Sequence, residues 1–198
     1  GKKARLLFSW DEYDRFRKVP VNVKAVDPDN EFEKYIGLPY TSVPNPFDTE
    51  HANYAKYFEA EFMESIKKFG IDMDYRYQTD MYTSGKYKDD IIEAVRKRKE
   101  IFDILDSFRT QDAQEGERDS YFPVSIFCPE CGRDTTKILS VSDDCTIVEY
   151  ECECGHKGTF DLTKDFNCKL AWKIDWPMRW RYEGVDFEPG GKDHASPG

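Results

Sequence analysis

Two short runs, CPECG at 128–132 and CECGH at 152–156, constrain this chain more than any other feature. Each sets thiols in a tight turn closed by glycine, and two β-like runs separate them, which is the spacing of a zinc ribbon. Tetrahedral zinc needs four ligands, and the runs offer Cys128, Cys131, Cys152, Cys154 and His156. Cys128, Cys131 and Cys154 are the expected ligands, with either Cys152 or His156 completing the set. A module with so little core of its own gains much of its folding free energy from the metal, so the zinc is read as structural. A closed four-ligand site leaves no position for a substrate, which argues against a zinc hydrolase. Cys145 and Cys168 fall outside the pattern and are expected to pack as small hydrophobes.

Around the cysteines the texture is β-like: PVSIF, TKILSV, TIVEYE and KGTFDLT alternate with turns, which predicts a small all-β module over residues 121–165. The N-terminal part reads differently. Leu6, Leu7 and Phe8 form an apolar run that predicts a buried strand, with Trp10, Asp11, Glu12 and Asp14 at its carboxyl end. In open α/β sheets that end is where ligands bind. Five prolines between residues 19 and 48 predict a long ordered loop, pinned by Phe32, Tyr35, Ile36 and Phe47. Ala55, Phe58, Phe62, Ile66 and Phe69 recur at helical spacing, so an amphipathic helix is expected from a cap at Asp48 or Thr49 to Gly70. Residues 71–79 alternate like a half-buried strand, and a second helix is expected from Ser84 towards Phe108.

The basic run Arg96, Lys97, Arg98 and Lys99 on that second helix is either an RNA contact or a solvated helix face. The net charge of −10 argues against a surface given over wholly to nucleic acid. No apolar run approaches the roughly 20 residues needed to cross a bilayer, and no apolar leader with a cleavage site is visible. A cytoplasmic location without membrane contact is expected, and there six cysteines favour metal over disulfides. Near the end, Trp172, Trp176 and Trp180 stand four apart, but Pro177 predicts an extended or turning path rather than one helix. Three indoles beside Asp175, Arg179 and Arg181 are either core or the walls of a pocket for a long aliphatic ammonium.

Taken in order, RLLFSWDEYDRFRKVP, YRYQTDMYTSGKY, CPECG…CECGH and DWPMRW…GVDFEPGGKDH resemble the class I lysyl-tRNA synthetases over nearly the whole chain. The resemblance implies an α/β fold: part of a Rossmann-type sheet, an inserted α+β connecting region and the zinc ribbon. On that pattern residues 1–47 belong to the catalytic domain, 48–120 to the connecting insertion, 121–165 to the ribbon and 166–198 to the return into the catalytic domain. It implies ATP-dependent activation of lysine and its transfer to tRNA(Lys), by a monomer, with Mg2+ accompanying the ATP. The His-Ile-Gly-His-type motif would precede Gly1 and the Lys-Met-Ser-Lys-Ser-type loop would follow Gly198, so the chain alone is expected to be inactive.

Carried over residue by residue, the resemblance sets Asp11 at the lysine α-ammonium, with Asp14 in support, and Trp176 and Trp180 around the lysine. Gly191, Asp193 and His194 match the turn that approaches the adenosine ribose. Arg96 to Lys99 would meet tRNA phosphates. Some members of the family carry a further metal site before the first helix, but NPFDTEHANYAKYF offers only His51 and no cysteine, so no second zinc is expected. Adenylate formation is an in-line attack of carboxylate on the α-phosphate, which calls for positioning and charge stabilisation rather than a side-chain nucleophile. The rival expectation is a non-catalytic zinc-ribbon module that binds nucleic acid or protein.

Overall fold

The computed structural model describes residues 4–191. The chain divides into two compact units: Gly1–Lys86 with Ile126–Thr136, and Tyr87–Ser125 with Lys137–Gly198.

In the first unit, β1 (Leu7–Trp10) and β2 (Asp74–Tyr77) run parallel, with Leu7 opposite Asp74 and Trp10 opposite Tyr77. A parallel pair needs a crossover. It is supplied by the loop 19–48, in which only α1 (Val21–Lys24) and two short 3-10 segments are regular, and by α2 (Tyr54–Lys68). Phe62 of α2 stacks on Phe8 at 4.5 Å and meets Trp10 edge-on at 5.1 Å, so the helical period and the strand period interlock through rings. All four β1 residues are only half-buried, and Leu6 is exposed, so the expected fully buried strand is not found.

The helix begins later than its apolar period suggests. Asn53, not Asp48 or Thr49, is the N-cap, its side chain accepting from the Lys56 N–H at 2.9 Å. Asp48 is engaged in its own turn, accepting from the N–H groups of Glu50 and His51 and from the His51 ring. The end is as expected: Phe69 closes α2, and Gly70 follows at φ +67°.

The proline-rich loop is held by a core of Phe16, Val19, Val23 and Val43, with Phe32, Tyr35, Ile36 and Phe47 packed against it. The same unit includes the first cysteine turn, tied down by Arg133, which donates to the carbonyls of Ile36 at 3.0 Å and Lys34 at 2.7 Å. Gly37 passes beneath that side chain at φ +96°, where a Cβ would come within 3.0 Å of Arg133 Cγ and Cδ.

In the second unit the single helix expected over 84–108 is broken. After α3 (Gln78–Thr83), which closes the first unit, α4 (Lys88–Arg96) and α5 (Arg98–Asp106) meet at Lys97, whose φ of −94° and ψ of 14° leave the helical region. Each piece keeps its own apolar stripe: Ile91, Ile92, Ala94 and Val95 are buried from α4, and Phe102 from α5. A short α6 (Glu117–Ser120) is clasped to α5 by the bidentate pair of Arg118 with Asp103, at 2.6 and 2.7 Å.

Five short strands follow. β3 (Val124–Ile126) pairs with β7 (Cys168–Leu170), while β4 (Thr136–Val141), β5 (Ile147–Cys152) and β6 (Lys157–Asp161) form a three-stranded sheet in that order. On β5, Val148, Tyr150 and Cys152 are buried in strict alternation. The hairpin between β4 and β5 turns through Cys145 at φ +60°, so this cysteine serves a turn and is not a core residue. Cys168 is the small hydrophobe expected: it is buried, and burial, with Asp165 nearby, pushes its thiol up to about 12.

The tryptophan run is helical after all, as α7 (Trp172–Glu183) with Pro177 inside it. Proline in a helix interior costs about 3 kcal/mol. That cost is offset across the proline by Asp175, 1% exposed, which pairs with Arg179 one turn on and with Lys169 at 3.4 Å.

Candidate substrate cleft and metal site

At the carboxyl end of β1 the first unit opens a cleft of about 230 Å³, lined by Trp10, Asp11, Glu12, Tyr40, Tyr54, Phe58 and Glu59 among others. Its walls are aromatic because the loop and α2 bring Tyr40 and Tyr54 face to face at 5.6 Å and Phe58 against Tyr54 at 4.8 Å. Burial pushes both tyrosine hydroxyls above the ordinary range, so they stay neutral donors.

The acids of the cleft differ in kind. Asp11 is exposed at the mouth. Glu12 is buried and accepts from the N–H of Gln78 at 3.1 Å and of Thr79 at 2.8 Å, capping α3, whose own preceding residue, Tyr77, makes no side-chain cap. Burial pushes the Glu12 carboxyl up, and the Glu59 charge adds to this, against the lowering effect of the two N–H bonds. Glu59, 2% exposed, holds Lys56 Nζ at 2.6 Å. Lys56 lies 4.5 Å from the Tyr77 ring centre, and although burial pulls its ammonium down, the bond to Glu59 outweighs this and holds it above its usual value.

Of the residues expected at the lysine, Asp11 lines this cleft; Asp14 is not among its lining residues, and its main-chain carbonyl accepts from Tyr40 N–H at 2.9 Å. Glu12 was expected only as one acid of the turn after β1, and Glu59 was not anticipated from sequence. Glu59 carried a legible signal: it lies on the apolar face of α2, one turn from Ala55 and Phe62, where an acid has no reason to be unless it is paired or used.

In the second unit, Trp172, Trp176 and Trp180 do form one stripe, with successive ring centres 6.0 and 6.1 Å apart. Trp172 and Trp180 are 49% and 38% exposed, so the stripe is not core, while Asp175 and Arg179 are buried with each other rather than set as pocket charges. Gly191 is exposed at the end of the described residues, and Asp193 and His194 lie outside them. The basic run falls at the α4–α5 junction. Arg96 and Lys97 both pair with Glu93, Lys99 pairs with Asp119, and Arg98 stands 5.0 Å from the Phe122 ring centre in the wall of a second cavity with Lys137.

The cysteine runs close on one point. The Sγ atoms of Cys128, Cys131, Cys152 and Cys154 all lie within 4.8 Å of one another, and His156 is not in the group. Zinc with bonds of about 2.3 Å to sulfur sets its ligands about 3.8 Å apart, so four thiolates fit with small inward adjustment. The two turns are built alike despite unequal spacing. Cys128 N–H donates to the Arg133 carbonyl and Gly132 N–H to the Cys128 carbonyl, both at 2.8 Å. In the shorter turn Cys152 N–H donates to the His156 carbonyl at 2.8 Å and Gly155 N–H to the Cys152 carbonyl at 2.9 Å. His156 therefore contributes its backbone, and its ring faces Tyr150 at 5.9 Å. Gly132 and Gly155 take φ of +73° and +94°, which each turn requires. Four clustered cysteines of this kind could hold a metal ion such as zinc.

The chain belongs to the family described as "tRNA synthetases class I (K)", which matches residues 1–198. It is 42% identical over 198 residues to the lysine–tRNA ligase of Treponema pallidum, 40% over 198 residues to that of Pyrococcus horikoshii and 41% over 226 residues to that of Streptomyces coelicolor. All of this chain is covered in each comparison, but only 36%, 36% and 39% of the relatives, so the chain spans little more than a third of their length. Among the described residues no helix is long and apolar enough to cross a membrane.

Proposed function

We propose that the protein to which this chain belongs is a lysine–tRNA ligase, activating lysine with ATP and attaching it to tRNA(Lys). The observation that carries this is identity of about 40% to ligases of that name over the full 198 residues, rather than at the cysteine motifs alone. A non-catalytic zinc-ribbon module would account for the four cysteines and for nothing in the aromatic cleft. We assign the parallel β1–β2 pair to a Rossmann-type sheet and the strands around the thiolates to a zinc ribbon.

In this reading the lysine α-ammonium meets Asp11, the exposed acid at the mouth of the cleft, through a charge-assisted hydrogen bond. The neutral hydroxyls and ring faces of Tyr40 and Tyr54 orient the ligand and exclude water from one side of it. For Trp176 and Trp180 the family resemblance implies a lysine-binding role, and for Gly191, Asp193 and His194 an ATP-binding one. Cys128, Cys131, Cys152 and Cys154 hold a structural zinc, which when bound ties the two cysteine turns together and supplies no reaction chemistry. Of the basic run, Arg98 is the side chain assigned to an RNA phosphate, since Arg96, Lys97 and Lys99 are engaged with acids.

The test is aminoacylation by the full-length protein: purified enzyme, tRNA(Lys), ATP–Mg2+ and each amino acid in turn. Lysine alone should be attached. Failure to attach lysine, or equal attachment of another amino acid, would overturn the proposal.

A further inference from the structure

The Glu59 carboxylate is only half used. Its Oε2 accepts from Lys56, but Oε1 is buried in the wall of the cleft and has no hydrogen-bond partner among the described residues. A charged oxygen left in that state is costly, because its hydration has been removed and nothing replaces it. The charge around it is also unbalanced: Glu12 is close enough for Glu59 to push its carboxyl up, Asp11 stands at the mouth, and Lys56 is the cation that Glu59 already holds. Trp10 Nε1, in the same wall, is a second buried polar atom without a partner among the described residues, this time a donor. The cleft thus presents one deep anionic acceptor and one deep donor between the rings of Tyr54 and Phe58.

We infer that Glu59 is the specificity residue of the cleft, taking the side-chain ammonium of an amino acid whose aliphatic stem lies on Tyr54 and Phe58. This rests on the lysine reading above and adds to it the residue that tells lysine from an uncharged amino acid of equal length. A buried carboxylate discriminates strongly, since a ligand lacking the ammonium leaves Oε1 as costly as before. A cation between ring faces gains further from their negative quadrupole. Asp11 and Glu59 then act on different nitrogens: the exposed acid at the mouth on the α-ammonium, the buried acid on the terminal one.

The test compares lysine with norleucine, which has the same stem and no terminal ammonium, by equilibrium binding to the full-length protein and by the KM for lysine in tRNA aminoacylation. Glu59→Gln should weaken lysine binding roughly 10- to 100-fold, the worth of a hydrogen bond to a charged group, leave norleucine binding unchanged, and raise KM far more than it lowers kcat. Glu64→Gln, on the exposed face of the same helix, should change neither. If Glu59→Gln does not fold, Glu59→Asp keeps the charge one methylene short and should still narrow the preference for lysine over norleucine at least several-fold. A folded Glu59 variant with wild-type preference overturns the inference, leaving Oε1 to a buried water; so does an equal loss for both ligands, which marks a structural role. Wild-type enzyme that fails to attach lysine removes the underlying reading and this inference with it, and that result is distinct from a ligase indifferent to Glu59.

Discussion

Glu12 joins the end of β1 to the start of α3, and removing its carboxylate tests how much that joint is worth. In Glu12→Ala the N–H groups of Gln78 and Thr79, now bonded at 3.1 and 2.8 Å, lose their acceptor. Gln78 is 1% exposed, so water cannot easily reach its N–H in compensation. A buried donor left unpaired costs about 1–3 kcal/mol, and two cost about 2–6 kcal/mol. Against this stands the relief of removing a buried charge that burial and Glu59 both disfavour. The net expectation is a loss of about 2–3 kcal/mol. Glu12→Gln, which keeps one carbonyl acceptor but turns an NH2 group towards the other N–H, should lose about half as much.

The pH dependence has a definite sign. A carboxyl raised on folding binds its proton more tightly in the native state, so this group's contribution falls as pH rises from 4.5, its ordinary value, through the raised native value. Urea unfolding of wild type and both variants at several pH values is the assay, with the variants losing that component of the slope. A Glu12→Ala protein within about 0.5 kcal/mol of wild type would refute the capping argument.

Three further outcomes follow from named contacts. Metal analysis of the purified protein should find close to one zinc per chain; Cys152→Ser should lose it, while His156→Ala, which spares the backbone carbonyl that Cys152 uses, should keep it. Loss of the metal in His156→Ala would move the fourth ligand to the imidazole. Asp175→Ala should destabilise the unit containing α7 by about 3–5 kcal/mol, since it breaks a buried ion pair and removes the brace across Pro177; a loss under about 1 kcal/mol in denaturant unfolding would show that the proline is tolerated for another reason. The Asp161 carboxyl is held down to about 2, first by the Thr163 hydroxyl and then by Lys164, so its contribution is present above pH 3.8 and lost as pH falls towards 2. Asp161→Asn should therefore melt below wild type at neutral pH and converge on it in acid, and a gap that persists at pH 2 would contradict the assignment.

What could be read from the sequence was what neighbours in sequence decide. The cysteine turns were legible because CxxC or CxC followed by glycine fixes a local shape, and the stripe of α2 because its period is carried by the helix itself. The loop anchors Phe32, Tyr35, Ile36 and Phe47 were legible because large apolar residues between prolines have little else to do than pack. The errors share one origin, in pairings that residue type and spacing do not announce. Pro177 signalled a break, yet α7 persists because Asp175 is held by Arg179 and by Lys169 of β7.

Lys97 gave no sign of a break, yet α4 and α5 separate there, each burying its own stripe, with the charges of the basic run spent on Glu93 and Asp119. The site follows the same rule. Asp11 could be placed from its position after a strand, but Glu12 and Glu59 acquire their meaning only when β1, α2 and α3 are brought together. In isolation Glu12 is one acid in an acidic turn, and Glu59 is one acid of several on a helix that also carries Glu61 and Glu64. Folding withdraws those two carboxylates from water and leaves the others in it. Burial, not residue type, therefore sets these two carboxylates apart in the cleft: the place of Glu59 on the apolar face of α2 hints at it, but the pairing of Glu12 with α3 needs the whole span from Glu12 to Thr79.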